Sequence, residues 1–174
     1  MTITPMRRRA LLIAVLVFVA DQVLKLHVTR TLGLDQVGEQ LVLLPIFRFT
    51  YVQNIGVSLG LLTASPEWVG VVRWALVALT GAIATGVFVW LMRERAGGDL
   101  IALGLVLGGA LGNITDRILY GYVIDYADLH FGDFQPFMVF NLADAAITIG
   151  VVILLVRALF VREKAPAPVE IPNA

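Results

Sequence analysis

Four long stretches of the chain are almost uniformly apolar, with no polar stripe along one face. They cover residues 10–28, 69–92, 100–119 and 137–160. A helix needs about 20 apolar residues to cross a bilayer, and a helix that is apolar all round suits lipid better than the surface of a soluble core. The pattern therefore predicts an all-α membrane protein with four transmembrane helices.

A short stretch before the second span alternates in polarity. In the segment LVLLPIFRFTYVQ, from Leu41 to Gln53, aromatic residues occupy every second position from Phe47 to Tyr51. A period of two in aromatic and β-branched residues is typical of a strand or hairpin. We therefore expect a small β-containing segment between the first two helices.

The composition agrees with a membrane protein and narrows the possible chemistry. Apolar residues make up 59% of the 174 residues and charged residues 15%, and the mean hydropathy is +0.86. Thirteen Lys and Arg balance thirteen Asp and Glu, so the basic surface of a nucleic-acid-binding protein is not expected. No Cys and only two His are present, which excludes disulfides, thiol chemistry and a zinc site of the HExxH type.

Basic residues near the span ends predict the orientation in the membrane. If the chain crosses the membrane four times, eight of its thirteen basic residues fall on one side: Arg7, Arg8, Arg9, Arg93, Arg95, Arg157, Arg162 and Lys164. Positive charge near span ends marks the cytoplasmic side. We therefore expect both termini in the cytoplasm, with residues 29–68 and 120–136 facing outward.

The chain is expected to form one membrane domain over residues 1–162. A polar tail over residues 163–174 carries three prolines and is expected to be disordered. The first apolar stretch follows three arginines, as in a secretory signal, but Phe18-Val19-Ala20 is a poor cleavage site. We interpret this stretch as an uncleaved first helix.

Ionisable and amide side chains interrupt the spans near one membrane surface. They are Asp21 and Lys25 in the first span, Arg73 in the second, Asn113, Asp116 and Arg117 in the third, and Asn141 and Asp144 in the fourth. A charge at the centre of a span costs about 2.5–3.5 kcal/mol and usually faces the bundle interior. Threading brings the groups of the first, third and fourth spans to the outer side, together with Asp125 of the outward segment. We expect a functional site there.

Most of these residues also have a structural interpretation. Asp21 and Lys25 are four residues apart and can form an ion pair on one helix face, while Asp116 and Arg117 can cap the third helix against headgroups. Asp144 is harder to explain, because no cation lies in the adjacent turns. The remaining structural expectations are helix packing for Gly104, Gly108 and Gly112, snorkelling or local pairing for Arg73, and solvation for Asp128 and Asp133.

Carboxylates are the acid–base groups that this composition leaves. Two carboxylates held close together cannot both ionise, so one can take a proton from water while the other donates a proton. Such a pair would support aspartic proteolysis without a metal or cofactor. A proton-coupled transporter with Asp144, Asp116 and Asp21 as a relay remains an alternative, although the inner halves of the predicted spans carry no carboxylate. A scaffold protein would explain the glycine spacing but not the clustered carboxylates.

Five sequence blocks, in order, resemble the bacterial lipoprotein signal peptidases, also called signal peptidase II. They are DQVLK at 21–25, NIGVSLG at 54–60, GGALGNITDR at 108–117, GYVIDY at 121–126 and FNLADAAI at 140–147. The resemblance covers about residues 10–160. The chain departs from the usual pattern at Leu24, Val57 and Leu59, where a Ser or Thr, a small residue and an aromatic residue are common.

The resemblance implies a membrane aspartic endopeptidase that removes the signal peptide of a prolipoprotein just before a diacylglyceryl-modified Cys. It places the catalytic pair on Asp125 and Asp144, with Asp116 as an alternative partner for Asp144. The supporting or substrate-binding residues that it implies are Asp21, Lys25, Asn54, Gly109, Asn113, Asp116, Arg117 and Asn141. It implies a monomer in the bacterial inner membrane with its site near the outer face. The implied partners are lipid-modified prolipoproteins and membrane lipid, without nucleic acid, metal or cofactor.

Overall fold

The computed structural model describes residues 3–56, 66–132 and 134–160. Within these ranges the helices are α1 (Pro5–Leu26), α2 (Pro66–Arg93), α3 (Gly97–Leu119) and α4 (Leu142–Phe160), and a π-helical segment, His27–Thr31, extends α1. All four helices are long and apolar enough to cross a membrane. The four predicted spans are confirmed, and the chain is a multi-pass membrane protein. The predicted tail, 163–174, lies outside the described residues, as do Val57, Leu59 and Asp133.

The fourth helix begins later than the sequence pattern predicts. It starts at Leu142, not near residue 137. Phe140 instead pairs with Ala127, donating its N–H to the Ala127 carbonyl at 3.0 Å and accepting the Ala127 N–H at 2.7 Å. These bonds hold the chain extended up to residue 140, so a hydrophobic run alone overestimates the helix.

Three antiparallel strands form one sheet in the order β1 (Gln40–Leu44), β2 (Phe47–Asn54) and β3 (Val123–Leu129). The predicted hairpin is confirmed, while β3, from the second outward segment, is an element that the pattern missed. The period of two also fails within β2: the register shifts between Phe49 and Val52, and Thr50 and Tyr51 are both buried. A bulge of this kind turns two successive side chains toward the core.

The helices pack around α3, which contacts α1, α2 and α4. Glycines allow the close approach: a Cβ on Gly104 or Gly108 would lie 2.5 Å from the carbonyl oxygen of Ala10 or Ala14 on α1. Gly109 faces Ala143 of α4 in the same way. The predicted packing role of the glycine spacing is confirmed, since small residues let membrane helices approach at backbone distance.

The two ends of the bundle carry different contacts. At the end opposite the sheet, which we call the arginine end, Arg7 donates to the Glu94 carbonyl at 3.1 Å, and Arg157 pairs with Asp99 at 2.5 Å. The start of α1, the end of α2 and the end of α4, each of which carries arginines, therefore lie at the same end of the bundle. Asp99 belongs to the first turn of α3, so the expectation that this half of the spans carries no carboxylate is wrong. The other end, which carries the sheet, is called the sheet end.

Candidate active site

A buried lysine joins two helices at the sheet end. The Lys25 Nζ lies 2.7 Å from Asp21 Oδ2 and 2.7 Å from Asp116 Oδ2, and it donates to Asn113 Oδ1 at 3.4 Å. All four residues are buried. The predicted Asp21–Lys25 ion pair is confirmed. The alternative that Asp116 caps α3 against headgroups is wrong, because its carboxylate points into the bundle.

The same carboxylates hold the neighbouring elements in place. Asp21 Oδ1 accepts the backbone N–H of Ala143, in the first turn of α4, at 3.0 Å. Asp116 Oδ2 accepts the backbone N–H of Ile124, in β3, at 3.1 Å, and its Oδ1 accepts from Gln22 at 2.9 Å. One ionic cluster therefore sets the positions of β3 and α4, the two elements that follow Asp116 in the chain.

Asp125 extends from β3 into this frame. Its two carboxylate oxygens accept from the side-chain amides of Asn141, at 2.6 Å, and Asn54, at 3.0 Å. Asn54 also accepts the backbone N–H of Gly56 at 2.8 Å. Asp125 is almost fully buried, and both of its oxygens are fixed by neutral donors.

Asp144 lies at the start of α4 and shares a partner with Asp125. Its Oδ1 accepts from the Asn113 amide at 2.8 Å, and its Oδ2 accepts the Asn141 backbone N–H at 3.2 Å. Asn141 Oδ1 in turn accepts the Asp144 N–H at 2.9 Å. These reciprocal bonds form a capping box, which explains where α4 begins. Asn141 contacts both carboxylates, one through its side chain and one through its backbone.

Burial and, after it, the nearby charge of Asp144 raise the pKa of Asp125 to about 7, against the amide donors Asn54 and Asn141, which lower it. A carboxyl group with this pKa can hold a proton near neutral pH and release it, as a general acid must.

Arg117 lies at the edge of the site without forming an ion pair to either carboxylate at contact distance. Its guanidinium is within electrostatic range of Asp144, Asp125 and Asp116, and its buried Nε makes no hydrogen bond with the described residues. Gly56 lies beside this arginine with a φ of +83°, and a Cβ there would clash with the Leu76 side chain of α2. The positive φ and this close contact both favour glycine at the position.

Gly109 is the one predicted site residue whose contacts are confined to helix packing: a Cβ there would meet Ala143 and Ile147. Arg73, predicted to snorkel or pair locally, lies 5.1 Å from the ring centroid of the adjacent Trp74 and also donates to the Arg117 and Ile118 carbonyls at 2.7 and 2.6 Å. It thereby fastens α2 to the C-terminal end of α3.

Asp128 was expected to be solvated, and this is wrong. It is 2% exposed and pairs with Arg48 at 2.6 Å, while Thr50 donates to it at 2.9 Å. The cause is the β2–β3 pairing, which places Arg48 opposite Asp128. Sequence reasoning also missed the role of Gln22, although it lies within the DQVLK block. Within the described ranges, no cluster of three or more His, Asp or Glu is arranged to hold a metal ion.

The sequence pattern of the family described as Signal peptidase (SPase) II matches residues 13–160. The chain belongs to the signal peptidase II family. The chain is 51% identical to the lipoprotein signal peptidase of Sphingopyxis alaskensis over 162 residues, covering 93% of this chain and 91% of that protein. The lipoprotein signal peptidase of Rhizorhabdus wittichii is 50% identical over 156 residues, covering 89% of this chain and 88% of that protein.

Solved structures show the same architecture. A bacterial membrane enzyme determined by the in meso method at 2.3 Å resolution superposes with a TM-score of 0.69 and 28% identity, covering 91% of this chain and 94% of that one. A second such structure, at 1.9 Å resolution, gives a TM-score of 0.70 and 27% identity, with coverage of 88% and 94%. The chain therefore has the four-helix membrane fold and is a peptidase of the signal peptidase II family, so the transporter and scaffold alternatives are not retained.

Proposed function

We propose that this signal peptidase II family member is an aspartic endopeptidase for diacylglyceryl-modified prolipoproteins, cutting just before the lipidated Cys. The catalytic pair in this proposal is Asp125 and Asp144. The observation that carries it is Asn141, which contacts both carboxylates and so places a strand residue beside a helix N-terminal residue.

The proposed mechanism gives the two carboxylates different roles. Asp144 stands at the N-terminus of α4, where the helix dipole favours negative charge, and it takes a proton from the attacking water. Asp125 donates its proton to the scissile carbonyl oxygen as the tetrahedral intermediate forms. Collapse of this gem-diol intermediate breaks the C–N bond: the leaving nitrogen takes the proton held by Asp144, and one hydroxyl returns a proton to Asp125, so both carboxyl groups regain their starting states. Since the pKa of Asp125 is about 7, the cleavage rate is expected to fall as the pH rises above that value.

The orientation is part of the proposal. The clustered arginines support a cytoplasmic arginine end, with both termini on that side. The sheet end would then face outward, which brings Asp125 and Asp144 to the membrane surface at which a lipidated Cys is exposed.

A lateral opening supports access for the substrate. Both α2 and α4 pack on α3, yet they make at most marginal contact with one another. Arg117 of α3 connects the two sides of this opening: its guanidinium is within electrostatic range of Asp144 on α4, and its carbonyl accepts from Arg73 of α2. An apolar signal helix could approach from the bilayer between α2 and α4, with its cleavage site at the level of the carboxylates.

The test is a gel-shift cleavage assay with a diacylglyceryl-modified prolipoprotein and the full chain in detergent. Asp125→Asn and Asp144→Asn are each expected to reduce cleavage by at least about 100-fold, since each removes a general acid or base. Asp128→Asn is the matched control: this carboxylate lies on the same strand but pairs with Arg48, and cleavage should stay within a few-fold of wild type.

Asp116→Asn separates the two possible pairs. If this variant is folded and inactive while Asp125→Asn still cleaves, the pair is Asp116 with Asp144. Absence of cleavage by folded wild-type protein, with a substrate that another signal peptidase II cleaves, would rule out the proposed function.

A further inference from the structure

A cavity lies at the sheet end, apart from the proposed catalytic pair. It has a volume of about 300 Å³ and opens between the last turns of α1 and the end of α3. Its walls include Gln22, Thr29, Tyr51, Tyr120 and Tyr122. Neither Asp125 nor Asp144, nor any of the three asparagines that bind them, lines it. The Lys25–Asp116 ion pair separates this cavity from the catalytic frame.

The cavity wall carries balanced charge. Lys25 and Arg30 contribute two cations, and Asp35 and Asp116 contribute two anions. Lys25 and Asp116 neutralise each other at 2.7 Å. Arg30 and Asp35 are both exposed and form no ion pair with the described residues, so each is available to a ligand group of opposite charge.

Phenol groups add hydrogen-bond donors and aromatic faces. The Tyr51 and Tyr122 hydroxyl oxygens lie 3.3 Å apart, and the Tyr120 and Tyr122 ring centroids are 6.1 Å apart. The hydrogen bond with Tyr51, followed by burial, raises the pKa of Tyr122 to about 12, so this hydroxyl keeps its proton at neutral pH. The faces of phenol rings attract ammonium groups, and phenol hydroxyls donate to phosphate.

An apolar groove of about 460 Å³ lies deeper in the membrane-spanning region, between α1, α2 and α3. Its lining is entirely apolar apart from Thr85, and includes Val15, Phe88, Leu107 and Leu111. The groove exists because α1 and α2 both pack on α3 but contact each other only weakly. It is therefore a different opening from the one between α2 and α4.

The groove and the cavity share one face of α1. Leu11 and Val15 line the groove, and Gln22, Leu26 and Thr29 line the cavity. Spacings of four, seven and four residues keep the side chains from Leu11 to Leu26 on one helix face, and Thr29 follows in the π-helical segment. Val15 and Gln22 are separated along the axis by roughly 10 Å at 1.5 Å per residue. The two spaces therefore follow one another along a single seam, apolar at depth and polar at the sheet end.

We propose that this seam binds one zwitterionic phospholipid, with its headgroup in the polar cavity and an acyl chain in the apolar groove. The order of polarity along the seam matches that of a lipid in a bilayer leaflet. Balanced wall charge favours a headgroup that carries both signs: Arg30 faces the phosphate, while Asp35 and the phenol rings face the ammonium. An anionic phospholipid would leave Asp35 without a partner.

The test measures lipid retention by native mass spectrometry of the full chain released from detergent. Purified protein is exposed to phosphatidylethanolamine or phosphatidylglycerol with identical acyl chains. We expect one retained phosphatidylethanolamine, favoured over phosphatidylglycerol. Arg30→Gln should lower its occupancy about two- to fivefold, as expected for loss of one exposed charge contact. The matched control is Arg95→Gln, an exposed arginine beyond the far end of α2.

The apolar half is tested separately. Val15→Trp fills the groove and should reduce retention, whereas Leu16→Trp, on an adjacent residue of similar exposure, 58% against 56%, should not. Asp35→Asn removes the exposed anion of the cavity wall, so it should shift the lipid preference toward phosphatidylglycerol. Equal retention of both lipids by wild type, or retention unaffected by Arg30→Gln and Val15→Trp, would overturn the proposal.

Discussion

The two ends of the helix bundle both contain acidic and basic residues, but these residues differ in how far they are exposed to solvent. At the sheet end, Asp21, Lys25 and Asp116 are 0%, 2% and 0% exposed. At the arginine end, the side chains of Arg157 and Asp99 are 29% and 23% exposed although they too are paired. One set of charges is removed from solvent, and the other remains in contact with it.

The difference indicates what each set is for. Exposed pairs contribute little to stability, and at the arginine end the positive charges suit an orientation signal. Buried charges are expensive unless every polar atom has a partner. At the sheet end Lys25 meets that condition and, through Asp21 and Asp116, anchors α4 and β3, which carry Asp144 and Asp125. The buried cluster is therefore the foundation of the proposed site.

The largest expected effect comes from removing the central cation. Lys25→Met leaves two buried carboxylates without a counter-ion, so we expect the free energy of unfolding to fall by about 3–5 kcal/mol. Arg157→Met, the equivalent change at the arginine end, should lower it by at most about 1 kcal/mol. Denaturant titrations in detergent micelles measure both. Equal losses would show that burial does not distinguish the two ends.

Removing the shared amide tests how the cluster supports catalysis. Asn141→Ala deletes the side-chain contact to Asp125 and the helix cap of Asp144, and we expect kcat for prolipoprotein cleavage to fall about 100-fold through misplacement of the pair. Gln135→Ala is the control, because Gln135 contacts a carboxylate outside the pair, Asp128. If the Asn141→Ala variant loses activity only in proportion to the fraction that is unfolded at the assay temperature, Asn141 has no positioning role.

Two glycines of α3 test the packing at each end. A Cβ on Gly112 would lie 2.6 Å from the fixed Asp21 Oδ2, whereas one on Gly98 would lie 2.6 Å from the guanidinium carbon of Arg157, the far end of a flexible side chain. Gly112→Ala should therefore destabilise the protein by about 1–3 kcal/mol. Gly98→Ala should have almost no effect on the melting temperature, because Arg157 can move aside.

The last effect builds up gradually with pH, and the two ends should respond with opposite sign. The pKa of Asp125 is raised to about 7 by burial, so the folded state holds its proton where the unfolded state does not. Relative to Asp125→Asn, wild type should lose stability as the pH rises from about 4 to 7, by at most about 1.4 kcal/mol per pH unit.

Glu94 supplies the opposite case at the arginine end. Backbone N–H groups, that of Ala96 above all, lower the pKa of Glu94. The ionised Glu94 side chain therefore stabilises the folded state at a pH above its ordinary pKa, and this stabilisation is lost as the pH falls below that value. Relative to Glu94→Gln, wild type should therefore lose stability toward acid, in melting curves collected from pH 3 to 8. If the stability differences at Asp125 and Glu94 change in the same direction with pH, the predicted contrast between the two ends is wrong.

The spans, the hairpin and the Asp21–Lys25 pair could be predicted because each depends on residues close in sequence. Helical spacing alone puts Asp21 beside Lys25, and alternation alone predicts β2. The burial of Asp128 could not be predicted, since Arg48 lies 80 residues away and meets it only through strand pairing. The start of α4 was missed for a similar reason: Phe140 is held by Ala127, a partner in β3.

The sequence by itself determined that this protein lies in a lipid bilayer, how many spans it has and near which membrane surface its polar groups gather. It could do so because hydropathy and residue spacing are local properties of the chain. Only the tertiary structure decided which carboxylates become neighbours. Asp125, Asp128 and Asp116 are alike as acidic residues among apolar ones. The β2–β3 register brings Asp128 into contact with Arg48, and the packing of α1 on α3 brings Asp116 into contact with Lys25. Asp125 instead lies beside Asn141, at the capped start of α4. Charge partners are selected by distance in space, and that distance exists only in the packed chain.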